Sequence, residues 1–493
     1  MTNYDILVVG GGPGGYISAV TAAKYGFSVA LIEKEAQVGG GLGGTCLNRG
    51  CIPSKTWLDN AETIERVKQA SKRGIDAQVV NIDMPAMVKF KDRVVKRLSM
   101  GVGALLKSWN VALYEGTATV HSLDNVVVTS AKDKENEVVL GCKRLVLATG
   151  SRPATIPIPG ADLPQVLTSD DIFNIQTIPP RLTIVGGGVI GVEMARIFSA
   201  FGSKVTIVEA LPRLAPNLDE EVADALLKSL KSAKVAVKTG VKVEAIEPAD
   251  SDSEVNVVVS CNDVTERIPA ETVLMAVGRA PNTEAFSELG LEMNRRFVKV
   301  DPNTLKTSRQ DVYAIGDITG LSMLAHSASV MGERAAKVAV QSLNGSDSEE
   351  FYPFPIDYAA IPSVVYGEPS AASVGMSQQA AEEHCNSNGS TLSIGRTIFG
   401  GNGRAVASGM GEGFVKILVE TNGVYSKILG IHLYGPMASE LINEASVLVN
   451  GGADVKSLAS VVHAHPTFGE TLSIALHDAL GGSSHQPPKK QGC

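Results

Sequence analysis

Apolar runs of strand length, each released into a glycine turn, punctuate this chain, and two of them open nearly identical units. Residues 6–34 read ILVVGGGPGGYISAVTAAKYGFSVALIEK: apolar strand, G-x-G-x-x-G turn, small-residue helix, a second glycine turn, and a β-branched strand closing on Glu33. Residues 184–210, IVGGGVIGVEMARIFSAFGSKVTIVEA, repeat that order and close on Glu209. The glycines are Gly10, Gly12 and Gly15 in one copy and Gly186, Gly188 and Gly191 in the other, and the glutamate falls 23 residues after the first glycine in both. Two such units in register predict a duplicated βαβ dinucleotide fold. The first glycine allows the tight turn, the second admits the pyrophosphate, and the third lets helix and strand approach. A strand-end carboxylate accepts from a ribose hydroxyl and repels a 2′-phosphate, so Glu209 predicts NAD over NADP if the second unit takes a nicotinamide. A solvated charge at a strand end is the plainer reading of that residue.

Three further apolar strands run into glycine: 145-LVLATGSRP-153, 273-VLMAVGRAPN-282 and 312-VYAIGDITG-320. The last delivers Asp317 to a turn ahead of a helical pattern at 324–336. That aspartate is placed to hold a cofactor hydroxyl, or else to cap the next helix. Residues 361–375 and 413–435 alternate like antiparallel strands, and 437–452 carries a helical period. The polar stretch 341–357 reads as a linker and 481–493 as a disordered tail. The predicted fold is α/β: two Rossmann-like dinucleotide domains plus a C-terminal α+β domain without a nucleotide motif. The proline-rich 153–160 segment and the AVGRAPN turn bracket an inserted second domain at 153–278. The first domain then spans 1–152 and 279–352, and the C-terminal domain 353–480.

With 493 residues the chain is long enough for about two to four domains. A net charge of −8 argues against a nucleic-acid or acidic-membrane surface, and no apolar run has the length of a membrane span. No Lys or Arg precedes Lys24, so the start resembles neither a signal nor a transit peptide. Six scattered cysteines suit a reducing compartment rather than a secreted disulfide framework, and the sequons at Asn344 and Asn388 are chance matches.

Two of the cysteines, Cys46 and Cys51, lie in 43-GGTCLNRGCIPSK-55. Residues five apart in a regular helix lie about 8–9 Å apart, too far for a disulfide. Gly50 and Pro53 supply the distorted turn that a redox pair needs, and a helix starting there favours a thiolate. A zinc site lacks two further ligands at workable spacing, and an inert pair is the remaining alternative. Alone, His465 in 463-HAHPTFGE-470 reads as an ordinary loop histidine.

From GGGPGGY through GGTCLNRGCIPSK, ATGSRP, GGGVIGVE, AVGRAPN, YAIGDITG and MLAH to HAHPTFGE, the chain resembles the pyridine nucleotide–disulfide oxidoreductases over roughly residues 4–480. Within them it is similar to the branch that oxidises protein-bound dihydrolipoamide with NAD+. The resemblance implies FAD on the first unit, NAD on the second, no metal, and a homodimer joined through the C-terminal domain. Implied partners are lipoyl-bearing proteins of 2-oxo-acid dehydrogenase or glycine cleavage complexes, in a bacterial cytoplasm or a mitochondrial matrix. It makes Cys51 the flavin-side thiolate, Cys46 the thiol that meets substrate, and His465 the acid/base oriented by Glu470 and supplied by the other subunit. Lys55 paired with Glu193 would tune the flavin, Asp317 would hold its ribityl chain, and Ala325 would touch it through backbone.

Further flavin contacts implied are Gly44 and Thr45 ahead of Cys46, Gly116, Thr149 and Gly150 with Ser151, Arg279, Met323 and His326. For His326 and His463 packing is the competing reading. Val189, Ile190, Val241, Ala276 and Gly278 would line the nicotinamide site. Arg49 departs from the small apolar residue usual beside the disulfide, and 36-AQVGGGLGG-44 is more glycine-rich than usual. Gly367 and Ser370 also depart from the family pattern, at positions expected in loops or dimer contacts. Glutathione and trypanothione reductases share the layout but take NADPH, and mercuric reductase adds a C-terminal cysteine pair where only Cys493 stands here. A docking-subunit role on an acyltransferase core would coexist with catalysis.

Overall fold

The computed structural model describes residues 2–36, 41–130, 137–262, 264–345, 355–423, 425–452 and 454–487. The first unit builds β1 (Thr2–Val9), α1 (Pro13–Lys24) and β2 (Val29–Glu33). There follow α2 (Gly44–Arg49), α3 (Cys51–Gln69) and α4 (Met84–Ser108), then β3 (Ala112–Glu115), β4 (Thr117–Ser122), β5 (Asn125–Thr129) and β6 (Glu137–Leu147). The sheet order is β3-β2-β1-β6-β5-β4, with strand Val312–Ala314 also pairing β6. Its β1, β2, β3 and β6 core is parallel, and β4–β5–β6 form an antiparallel meander. Ile6 to Val9 are all buried, as a parallel strand covered on both faces demands.

Strand β7 (Ser151–Pro153) leads out of this domain. The second domain contains β8 (Val166–Thr168), β9 (Arg181–Val185), α5 (Val189–Phe201), β10 (Lys204–Glu209), α6 (Glu220–Ser232), β11 (Ala236–Thr239), β12 (Lys242–Pro248), β13 (Val255–Cys261), β14 (Val264–Ala270) and β15 (Thr272–Met275). Its parallel sheet runs β11-β10-β9-β15-β8, beside a β12-β13-β14 meander. The chain returns through β16 (Arg279–Pro281), which pairs antiparallel with β7, so two short strands link the domains. Trp57 of α3, fully buried, packs edge-on against Phe173, Phe198 and Phe201 of the second domain.

The C-terminal domain is a five-stranded antiparallel sheet in the order 363–365, 370–375, 425–435, 414–422, 391–398. Helices Ala438–Asn450 and Glu470–Ala479 cover it. The helix predicted from residue 324 runs Ala325–Leu343, so the first residues of the 341–357 stretch are its last turn, where Gln341 is buried and polarity alone misled. Residues 346–354 of that stretch, and 488–493 of the tail with Cys493, lie outside the described residues, as do 37–40 of the glycine-rich loop. Among the described residues no helix is long and apolar enough to cross a membrane.

Candidate functional site

The two βαβ units open onto one continuous cavity of ≈ 1330 Å³, larger than the usual pocket for a single ligand. The residues around it suit dinucleotides. A Cβ on Gly15 would stand 1.8 Å from the Gly10 carbonyl oxygen, and one on Gly191 2.0 Å from that of Gly186, so each helix rests directly on its turn. Helices α1 and α5 start at Gly12 and Gly188 with no side-chain cap, leaving first-turn N–H groups for a phosphate. Each unit then holds its glutamate in the same way. Glu33 accepts from the N–H of Gly11 (2.6 Å) and Glu35 (2.9 Å), and Glu209 from Gly187 (2.6 Å) and Leu211 (2.7 Å). These bonds aim two carboxylates at the cavity edge.

Of the cofactor residues expected from sequence, the structure brings to this cavity Gly10, Gly12, Glu33, Gly44, Thr45, Lys55, Thr149, Gly150 and Ser151 from the first domain. From the second domain and the return strand come Gly186, Gly188, Val189, Ile190, Glu193, Glu209, Val241, Ala276, Gly278 and Arg279, and from the following turn and helix Asp317, Met323, Ala325 and His326. Gly15 and Gly191 serve helix packing behind it. Gly116 is not among the lining residues. It sits buried between β3 and β4, where its N–H meets the Glu33 carbonyl and a Cβ would strike Thr129 O at 2.6 Å, so its need for glycine is a strand-crossing need. Asp317 does not cap the next helix, whose N-cap is Leu324; it accepts from the Ser151 hydroxyl at 2.5 Å. His326 bonds the Pro362 carbonyl at 3.0 Å through Nε2, and burial holds its pKa below the ordinary value.

The cysteines occupy a broken helix. Cys46 lies in α2, Gly50 takes φ −127°, ψ −107°, and α3 restarts at Cys51, which therefore sits at the positive end of a 19-residue helix. The neighbouring Cys46 thiol and then the Lys55 ammonium lower the pKa of Cys51 below the usual thiol value, against partial burial. Cys46 moves the other way, above the usual thiol range, because it donates to Cys51 and is itself buried. One sulfur is thus prepared as thiolate and the other as proton-bearing thiol.

Glu193 of α5 anchors this arrangement from the second domain. Buried to 3% exposure, its carboxylate accepts from Lys55 Nζ (2.9 and 3.0 Å), the Ser54 hydroxyl (2.8 Å) and the Tyr366 N–H (3.2 Å). Lys55 Nζ also lies 4.0 Å from the Tyr366 ring centroid. The sequence had pointed to Lys55 and Glu193 but not to Ser54, whose place beside Lys55 in CIPSK was the available signal, nor to Tyr366, which carried none.

His465 and Glu470 come together, but away from the cysteines. His465 Nδ1 meets Glu470 Oε1 at 2.9 Å, while Oε2 accepts the Thr467 N–H at 2.8 Å. The Thr467 bond first and the histidine second hold the Glu470 carboxyl below its usual range. The His465 side chain is 79% exposed and belongs to the C-terminal domain, outside the cavity of its own chain. His463 pairs with Glu444 at 2.8 Å. Arg49, expected beside the disulfide, is ion-paired to Glu35 and Asp170 at the cavity wall.

A dithiol polarised into thiolate and thiol, set between two dinucleotide units, defines a flavin disulfide oxidoreductase. The chain belongs to the pyridine nucleotide-disulphide oxidoreductase family, whose model matches residues 4–332 and whose dimerisation domain matches residues 361–476. The chain uses FAD and NAD, and its dimerisation domain makes it a homodimer. It is 36% identical over 479 residues to the dihydrolipoyl dehydrogenase of Chlorobaculum tepidum, covering 97% of each chain. The dihydrolipoyl dehydrogenase of Geobacillus stearothermophilus is 36% identical over 486 residues, 98% of this chain and 97% of the relative. Among solved structures, the HOCl-induced flavoprotein disulfide reductase RclA of Escherichia coli, as its Cu(II) complex, superposes with TM-score 0.81 at 26% identity, over 97% of this chain and 99% of that one.

Proposed function

We propose that this protein is a dihydrolipoyl dehydrogenase that oxidises protein-bound dihydrolipoamide to lipoamide, with NAD+ as final acceptor. The observation that carries the reading is the placement of Cys46 and Cys51 on either side of a helix break, beside the Lys55–Glu193 pair, in a cavity shared by both dinucleotide units. In this reading FAD occupies the unit of Gly10, Gly12 and Glu33 with Asp317 at its ribityl chain, and NAD the unit of Gly186, Gly188 and Glu209. The domains divide at 1–152 with 279–352, 153–278 and 353–480.

His465 of one protomer, its Nδ1 fixed by Glu470, takes a proton at Nε2 from a dihydrolipoamide thiol at the dithiol of the other protomer. The substrate thiolate attacks Cys46 Sγ of the Cys46–Cys51 disulfide, and Cys51 leaves as a thiolate held by the α3 terminus and Lys55. The second lipoyl thiol then displaces Cys46, which takes up that thiol's proton, and lipoamide departs. Two electrons now rest on the dithiol, with one proton on His465 and one on Cys46. When bound, FAD supplies the two-electron relay between this dithiol and NAD+. The 79% exposure of the His465 side chain supports the two-protomer site, because among the described residues its own chain leaves most of the ring open. Lipoyl-bearing proteins of 2-oxo-acid dehydrogenase or glycine cleavage complexes are the proposed partners, in a bacterial cytoplasm or a mitochondrial matrix.

The test is a steady-state assay of purified protein with dihydrolipoamide and with oxidised glutathione, each against NAD(H) and NADP(H). Turnover of dihydrolipoamide with NAD+ is expected. Glutathione reduction by NADPH in its place would overturn the substrate assignment.

A further inference from the structure

Arg49 and Asp170 meet across the boundary between the two dinucleotide domains. Arg49 closes α2, three residues after Cys46, and its guanidinium binds Glu35 on one side and Asp170 Oδ2 on the other, the latter at 3.1 Å from Nε. Asp170 belongs to the second domain, on the turn that follows edge strand β8. That turn is built to be stiff: Asp171 accepts from the Thr168 N–H (3.0 Å) and hydroxyl (2.6 Å), and Asp170 N–H donates to Thr168 Oγ1 at 3.2 Å. Arg279 approaches Asp170 from the return strand, at 3.6 Å, while donating to Ser151 Oγ (2.7 Å) and Ser151 O (2.8 Å) on β7. Polar contacts therefore run from Glu35 through Arg49, Asp170 and Arg279 to the paired link strands β7 and β16.

Two short linking strands are a hinge by geometry. The Trp57–Phe173–Phe198–Phe201 cluster packs the domains together through apolar contacts. The Arg49–Asp170 ion pair supplies a second contact between the domains, between charges, at the cavity wall. Both partners are partly screened, at 31% and 24% exposure, so the pair adjusts an equilibrium between domain orientations rather than holding the fold.

We propose that Arg49 is a positioning residue for the nicotinamide half-reaction, setting through Asp170 the angle at which the second dinucleotide domain faces the helix that carries Cys46. The proposal rests on the reading that the second unit takes NAD(H). When a site is competent in only one orientation, apparent affinity falls by the fraction of molecules in that orientation. Loss of the pair then weakens NADH binding more than it alters the dithiol, whose cysteines and Lys55 belong to the first domain and keep their contact with Glu193 through the direct Lys55 and Ser54 bonds.

The experiment compares wild type, Arg49→Met, Asp170→Asn, the double variant and Arg49→Lys by rapid-reaction reduction with NADH and, separately, with dihydrolipoamide. Each single variant is expected to raise the apparent Kd for NADH roughly two- to fivefold, and the double variant by less than the product of the two, because the Arg49–Asp170 contact is common to both changes. Arg49→Lys should recover most of the affinity, flavin content should match wild type, and the dihydrolipoamide half-reaction should change less than the NADH affinity. The proposal is overturned by unchanged NADH affinity in both single variants, by additive losses in the double, or by a dihydrolipoamide half-reaction that falls in step. A wild-type protein reduced by NADH but not by dihydrolipoamide would sink the substrate reading, while the NADH comparison would still decide the role of Arg49.

Discussion

Lys55 and Glu193 should move the Cys51 pKa in opposite directions, and this separates an electrostatic role from a merely structural one. Beside the larger effect of the Cys46 thiol, Lys55 lowers the pKa of Cys51 and Glu193 raises it. At neutral pH such a thiol is more ionised than an ordinary cysteine, only a few per cent of which is thiolate. Deleting the ammonium by Lys55→Met should raise the pKa by roughly one unit, the low end for a single nearby charge that is partly solvated. The thiolate fraction at pH 7 then drops, by up to about tenfold for one unit. Glu193→Gln leaves the ammonium unneutralised and should lower the pKa, so the thiolate fraction at neutrality rises. A Cys46→Ser background leaves Cys51 as the single thiol of the pair, with a hydroxyl still able to donate to it. The assay follows thiolate absorbance and alkylation rate against pH. Shifts of the same sign in both variants would refute the assignment, since loosened packing moves both alike and a field does not.

Three further outcomes follow from the geometry. Gly15→Ala forces a Cβ against the Gly10 carbonyl oxygen at 1.8 Å, so the purified protein should lose its flavin absorbance; full flavin content would show that α1 can shift freely. Glu209→Arg should move preference from NAD toward NADP, measured as the ratio of kcat/KM values, and an unmoved ratio would remove Glu209 from the ribose site. His432 is 1% exposed beside Asp219 and Lys416, and burial lowers its pKa to about 4. Its folded value lies below the unfolded one near 6.5, so the unfolded state binds the extra proton between those limits. Stability is complete above about pH 6.5 and falls by about 3 kcal/mol as pH drops toward 4. Urea midpoints across that window should show the slope in wild type and a smaller one in His432→Gln, and equal slopes would exclude the histidine.

What the sequence revealed was local and periodic. Both βαβ units are legible because glycine spacing, strand period and terminal glutamate all fall within some thirty residues, and the carboxylate bonds of Glu33 and Glu209 repeat as faithfully as the letters do. The helix break between the cysteines was legible for a similar reason: Gly50 lies between them and Pro53 just beyond, and the helix breaks at Gly50. The 25-residue α4 and the β12–β14 meander, by contrast, stand in no motif and passed unpredicted. Tyr366 lies 173 residues from Glu193, and Asp170 more than 100 from Arg49, so no local spacing announces either contact. His465 and Glu470 are five apart on a loop and a helix start, a pairing that family resemblance suggested and periodicity did not.

The central claim is that the dithiol of one protomer works with the His465–Glu470 dyad of the other. Cys46→Ser and His465→Gln subunits are each expected to be inactive toward dihydrolipoamide, the histidine variant by roughly 10² to 10⁴. Differently tagged copies should be unfolded together, refolded, and purified as heterodimers. Each heterodimer then holds one site with both groups intact and one with neither, and its dihydrolipoamide–NAD+ turnover should return to about half that of wild type, one site of two. Verified heterodimers as inactive as their parents would contradict the shared site.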